Sequence, residues 1–143
     1  MQFSSPKPIS MDMAALLLRL IFGGFMLLGH GLGKWDAMMA GSETFPDPLG
    51  LGAVTSLYLA VFAEVICAGL LVIGLASRWI LIPLIITMLV AVFIVHGEHE
   101  WFAKGGPSKE AAAIYLMAYI SLFFTGAGKY SLDGILYRRG WYY

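Results

Sequence analysis

Four apolar runs, Met13 to Gly33, Val54 to Leu75, Trp79 to Gly97 and Ala111 to Gly128, take up more than half of the 143 residues. A bilayer core about 30 Å thick is crossed by about 20 helical residues rising about 1.5 Å each, and all four runs fall in that range. Hydrocarbon offers no water to backbone N–H and C=O groups, so such segments must satisfy themselves as helices. The sequence therefore predicts an all-α fold: an integral membrane four-helix bundle, antiparallel and up-down, forming a single membrane domain over residues 1–143.

Composition supports this. With 59% hydrophobic and 13% charged residues, the chain cannot give four long helices the polar faces that water-soluble helices need. The runs leave too little sequence for a separate soluble catalytic domain, so any chemistry belongs to the bundle and its loops. Nine basic and nine acidic residues cancel, with no long basic stretch, which argues against nucleic acid as a partner. Cys67 stands alone, which excludes an intrachain disulfide or a C-x-x-C redox pair; it reads as a small packing residue. The segment before the first run carries only Lys7 and Asp12 as charges, and the run holds Arg19, so it reads as a retained helix rather than a cleaved signal.

Proline marks the loops at Pro46, Pro48 and Pro107, while Pro83 falls near the first turn of the third helix. The link Ala76 Ser77 Arg78 allows only a tight antiparallel hairpin between helices two and three. Lys7, Arg78, Lys129, Arg138 and Arg139 lie on one side and Lys34, Lys104 and Lys109 on the other. That bias puts both termini in the cytoplasm and the chain in the cell inner (plasma) membrane. Trp35, Trp79 and Trp101 fall at helix ends, at headgroup level. Gly23, Gly24, Gly69 and Gly74 read as sites of close helix approach.

Ionisable groups inside a span cost about 2.5 to 3.5 kcal/mol each on insertion scales, so they normally face the bundle interior or a pathway. Arg19, His30, Glu64 and His96 are the candidate catalytic residues. Arg19, Gly23, Met26 and His30 recur at helical spacing on one face. Matching helix midpoints puts Arg19 within reach of Glu64, either as a structural ion pair or as a proton carrier. The same depth estimate puts His30 and His96 together in one layer, roughly 10 Å beyond the midplane. They read either as interfacial residues satisfied by water or as the lining of one polar pocket. Tyr115 and Tyr119, one turn apart, can stack on an aromatic ligand or pack in the core. His96 and His99, with Glu98 between them, have a spacing compatible with metal ligation, yet such a surface loop is more simply solvated; no metal site is assigned.

The strings LLLRLIFGGFMLLGHGLGKW and AEVICAGLLVIGLASRW, a helix ending in His96, and the closing GAGKYSLDG resemble the DoxX family of four-helix membrane proteins. Most specific is the arginine followed by His-Gly-x-x-Lys, from Arg19 to Lys34. The closing glycine string follows a membrane helix and opens no βαβ unit, so it is no dinucleotide fingerprint. The family includes a membrane subunit similar to that of thiosulfate:quinone oxidoreductase, members linked to quinone or catechol handling and to oxidative-stress resistance, and many of unknown function. The resemblance implies the fold and a link to quinone chemistry in some members, and the leading reading is a quinone-linked redox subunit, with His30, His96, Lys34, Tyr115 and Tyr119 as cofactor-binding residues and Glu64 with Arg19 carrying or balancing the proton. No haem, flavin, nicotinamide or metal motif accompanies them, so electrons come from a donor or a second subunit. Membrane lipid is one expected partner, and a second subunit or a homo-oligomer is another. Two other readings stand beside this one: a non-catalytic assembly or anchoring subunit, and a small proton-coupled permease.

Overall fold

The computed structural model describes residues 8–138; Lys7 and Arg139, counted in the charge bias, lie outside the described residues. The described chain is helical apart from loops, with a single isolated bridge between Glu100 and Ser108. Three helices are long and apolar enough to cross a membrane: α1, Met11–Met39; α2, Ala53–Ile73; and α3, Ser77–Val95. A shorter apolar helix, α4, Glu110–Thr125, packs along α3, and a short α5 spans Leu132–Arg138. Neighbours run antiparallel: Gly23 meets Val72 and Gly31 meets Glu64 between α1 and α2, while Phe22 meets Tyr119 and His30 meets Tyr115 between α1 and α4. The core gathers Met26, Leu71, Leu81, Leu84, Tyr119 and Leu122 from all four long elements.

The ends depart from the sequence reading for local reasons. Helix α1 runs past Gly33 to Met39, because nothing between Leu32 and Met39 breaks it before the turn at Gly41, φ 69°. Helix α2 ends at Ile73, since Gly74 adopts a left-handed conformation and the N–H groups of Gly74 and Leu75 both return to the carbonyl of Leu70. Starting at Ser77, α3 has Pro83 inside it rather than in its first turn. Helix α4 stops at Thr125, where Gly126 turns away with φ 76°.

Four stretches have i→i+5 hydrogen bonding in place of the α pattern: Arg19–Gly23, Met26–Gly31, Phe62–Cys67 and Ala91–Val95. Such widened turns are uncommon and gather at functional sites. Three of the candidate residues, Arg19, His30 and Glu64, lie within these stretches, and His96 immediately follows the fourth, its N–H reaching the carbonyl of Ala91 at 2.9 Å. A widened turn takes more residues per revolution, so the single stripe expected from Arg19 to His30 is not kept: Arg19 meets Val72 at the end of α2, whereas His30 meets Tyr115 of α4.

Only some of the glycines expected at helix contacts lie there. A Cβ on Gly23 would meet Val72 Cγ2 at 2.9 Å, and one on Gly74 would run into the Arg19 guanidinium. Gly24 and Gly69, in contrast, face open space. The tightest approach to backbone in the α1–α2 seam belongs to Gly31, whose Cβ would lie 2.5 Å from the Glu64 carbonyl oxygen. Gly31→Ala is therefore expected to push the helices apart and cost about 1 to 3 kcal/mol. Gly69→Ala, with no clash, should be neutral or stabilising by up to about 1 kcal/mol through helix propensity. Reversible unfolding of the two variants in detergent or bicelles measures the difference; equal effects would remove the close-approach account.

Candidate functional site

At the end of the bundle away from the described chain ends, the four long helices diverge around a cavity of about 550 Å³. Met26, His30 and Lys34 line it from α1, at successive turns. Glu64 comes from α2, Thr87 from α3, and Tyr115 from α4, with His96 just beyond the end of α3. The α1–α2 loop covers it with Phe45, Pro46, Pro48, Leu49 and Leu51. That loop is held by Asp47, whose carboxylate accepts from the N–H groups of Leu51 at 2.9 Å and Gly52 at 2.7 Å, and from the Ser56 hydroxyl at 2.7 Å. These bonds keep the Asp47 carboxyl below its usual range, the Ser56 hydroxyl contributing most.

Within the cavity the Lys34 ammonium is ion-paired and hydrogen-bonded to Glu64. Glu64 is buried and Lys34 partly exposed, with side-chain exposures of 6% and 26%. His30 packs edge-on against Tyr115, ring centroids 5.7 Å apart, and Tyr115 in turn lies 5.5 Å from Phe22. At the rim His96 Nδ1 lies 3.0 Å from His99 Nδ1, so one ring donates to the other. Among the described residues no group of three His, Cys, Asp or Glu side chains is arranged to hold a metal ion. Ser56, Thr87 and Ser108 add hydroxyls and the rest of the wall is apolar, so the site combines an ammonium, a carboxylate, two imidazoles and a phenol with a mostly apolar surface.

Two residues assigned to this site from sequence lie elsewhere. Tyr119 is fully buried and its hydroxyl donates to the Phe22 carbonyl at 3.2 Å, so it is a core residue with its polar end satisfied. Arg19 does not meet Glu64. Its guanidinium donates to the carbonyls of Val72 at 3.1 Å and Tyr130 at 2.7 Å, with a longer contact to Leu71 at 3.5 Å. Because Glu64 packs at the level of Gly31, twelve residues along α1 from Arg19, the two charges are separated by about 18 Å along the bundle. Equating helix midpoints failed because α1 extends to Met39 and slides relative to α2.

The Arg19 end is a structural knot, and it accounts for the closing Gly-x-Gly-x-x-Ser-Leu-Asp string. Gly126 and Gly128, both with positive φ, fold the chain back beneath the bundle. There Tyr130 offers its carbonyl to Arg19, and the Lys129 N–H reaches Asp12 Oδ1 at 2.9 Å. Asp133 accepts from the N–H groups of Ala76 at 2.7 Å and Ser77 at 2.8 Å, capping the start of α3. The sequence reading missed this capping role; the string's aspartate next to the basic end of the α2–α3 hairpin was the available signal.

Lys34→Met and Glu64→Gln are expected to be non-additive in stability. Each alone leaves an uncompensated charge in a largely dehydrated place, costing about 1 to 3 kcal/mol after allowance for the partial exposure of Lys34, while the double variant recovers part of it. Arg19→Met with Glu64→Gln should instead add within about 0.5 kcal/mol, as separated sites do. Unfolding free energies of the two cycles in one detergent decide the pairing; coupling to Arg19 rather than Lys34 would overturn it.

The DoxX family model matches residues 14–97, which hold Arg19, His30, Lys34, Glu64 and His96. Two uncharacterized proteins of Haemophilus influenzae are similar. One is 27% identical over 121 residues, covering 80% of this chain and 85% of its own, and the other is 29% identical over 126 residues, covering 85% and 83%. No solved structure matches the chain. With well over half of its residues matched by the family model, and with helices of membrane-spanning length and character, the chain belongs to the DoxX family of multi-pass membrane proteins.

Proposed function

We propose that this membrane protein binds a quinone head group in the cavity between His30, Lys34, Glu64, His96 and Tyr115, as the membrane subunit of a quinone-dependent oxidoreductase. One observation carries the reading: a cavity of about 550 Å³ with mostly apolar walls in which five polar groups from four parts of the chain converge. That size falls within the usual range for small organic ligands, about 300 to 1,000 Å³. A quinone carbonyl is an acceptor only, and Lys34, His30 and Tyr115 supply N–H and O–H donors around one space. Bound quinone would supply the redox chemistry, taking up two electrons and two protons as it becomes quinol. The electrons pass from a donor directly to the quinone or come through a partner protein. Glu64 holds the Lys34 ammonium in place, and His30, exposed at the cavity, exchanges protons with the aqueous side. Arg19 takes no part in this chemistry.

Purified protein is expected to retain quinone in its organic extract. His30→Ala and Glu64→Gln should each weaken binding of a water-soluble quinone analogue by about tenfold or more, the usual consequence of removing a hydrogen-bonding or charged group from a ligand site, while the protein stays folded in the membrane. Titration of the analogue, read by tryptophan quenching, measures this. Undiminished binding in both variants rejects the site, and an absence of any quinone affinity in the parent favours an assembly or anchoring subunit.

In the same reading both termini are cytoplasmic and the chain lies in the inner membrane, with the loop-covered cavity facing outward. Arg78, Lys129 and Arg138 cluster at the terminal end, as the positive-inside bias requires. Cysteines placed singly at Ser42 and Ser108 should react with a membrane-impermeant maleimide in intact spheroplasts, in a Cys67→Ala background, and one at Tyr137 should not; labelling at Tyr137 alone would invert the orientation.

A further inference from the structure

A second cavity opens at the opposite end of the molecule, where the described chain starts and ends. It has a volume of about 860 Å³ and lies between the start of α3 and the folded-back segment after α4. Arg78, Lys129 and Arg138 line it together with Ser77, and the exposed rings of Trp79 and Tyr137 flank it, at 77% and 71% exposure. Two carboxylates share the cavity, and both are engaged. Asp12 is paired with Lys129 at 3.3 Å, and the two oxygens of Asp133 accept the N–H groups of Ala76 and Ser77. The charges of Arg78 and Arg138 are left without a carboxylate partner among the described residues. Arg138 is held in position by backbone carbonyls, Nε donating to Gly134 at 3.1 Å and Nη2 to Lys129 at 3.3 Å.

The Ser77 side chain supplies an independent sign of a missing partner. It is 2% exposed, lines this cavity, and its Oγ has no hydrogen-bond partner among the described residues. A buried hydroxyl without a partner is costly, and such groups are rare. It lines the same cavity as two unneutralised guanidinium groups, and together these groups make a donor set for an anion. The setting selects which anion: exposed tryptophan and tyrosine rings mark headgroup depth, and below them α3 presents exposed Ile82 to the hydrocarbon. A ligand with a phosphate at headgroup level and acyl chains beneath it fits both parts.

We propose that this cavity binds the phosphate of an anionic phospholipid of the surrounding leaflet, through Arg78, Arg138 and the Ser77 hydroxyl, and so fastens the folded-back segment to the membrane surface. Basic pockets between membrane helices are a recurrent way of holding such headgroups. The site is separate from the loop-end cavity and does not depend on what that cavity binds.

The test uses the full chain in nanodiscs of zwitterionic lipid doped with phosphatidylglycerol, with lipid retained after transfer to detergent counted by native mass spectrometry. The parent protein should keep the anionic lipid in preference to the zwitterionic one. Arg78→Gln and Ser77→Ala should each lower that preference several-fold, and Arg78→Gln with Arg138→Gln by on the order of tenfold or more. Lys104→Gln, which removes one charge from the opposite loop, should leave it unchanged. If Arg138→Gln disturbs the fold, as read by its thermal midpoint, the exposed Arg78 and the small change at Ser77 still decide the matter. Equal retention by the parent and Arg78→Gln, or an equal loss in Lys104→Gln, overturns the site. Displacement of the lipid by millimolar inorganic phosphate would show that the cavity takes free phosphate instead, and would overturn the lipid assignment.

Discussion

The burial of one guanidinium organises the terminal end of this protein. Arg19 sits in a membrane helix at 1% exposure, where its unsolvated charge is offset by acceptors that meet its two Nη groups, while Nε has no partner among the described residues. The end of α2 supplies one set through the carbonyls of Leu71 and Val72, and the chain after α4 supplies the other through Tyr130. Gly74 leaves the space that the guanidinium occupies. Because Tyr130 must come in to meet Arg19, Asp133 arrives at the start of α3 and caps it, and Lys129 arrives at Asp12. One buried charge thus ties α1, α2, α3 and the segment after α4 together without any ion pair to Glu64.

The other end is built on a different principle. Here Glu64 is buried and neutralised by Lys34 across the α1–α2 seam, close to the point where Gly31 lets the helices touch. Outward from that seam the helices part, and the loop held by Asp47 covers the opening with prolines and leucines. A charged floor, aromatic walls and an apolar cover make a place from which water is partly excluded but donors are not, which is the environment a polar-headed organic ligand requires. The widened helical turns at Met26–Gly31, Phe62–Cys67 and Ala91–Val95 surround this region and set the facing of His30, Glu64 and His96.

Much of this was legible from residue order. Lengths of apolar runs named the helices, because a bilayer imposes a minimum length that no other solvent does. Ionisable residues within those runs named the important positions, because each is too costly to be incidental. His30, Glu64 and His96 were singled out in this way, Lys34 by resemblance and Tyr115 by its spacing from Tyr119, and all five line one cavity. Tyr119 was included with them on spacing alone, and spacing cannot tell a wall from a core when both lie on one side of a helix.

The sequence by itself determined that the chain is a bundle of membrane helices and which side chains are too polar to face lipid, since both follow from transfer free energies residue by residue. Only the tertiary structure decided which charge meets which. The slide of α1 past α2 carries Glu64 to Lys34 and away from Arg19, and across the widened turns Arg19 meets the end of α2 while His30 meets Tyr115 of α4. Pairing depends on the relative axial offset and rotation of two helices. Those are fixed by side-chain packing at contacts such as Gly31 on Glu64, between residues far apart in the chain, and no local pattern of residues encodes them.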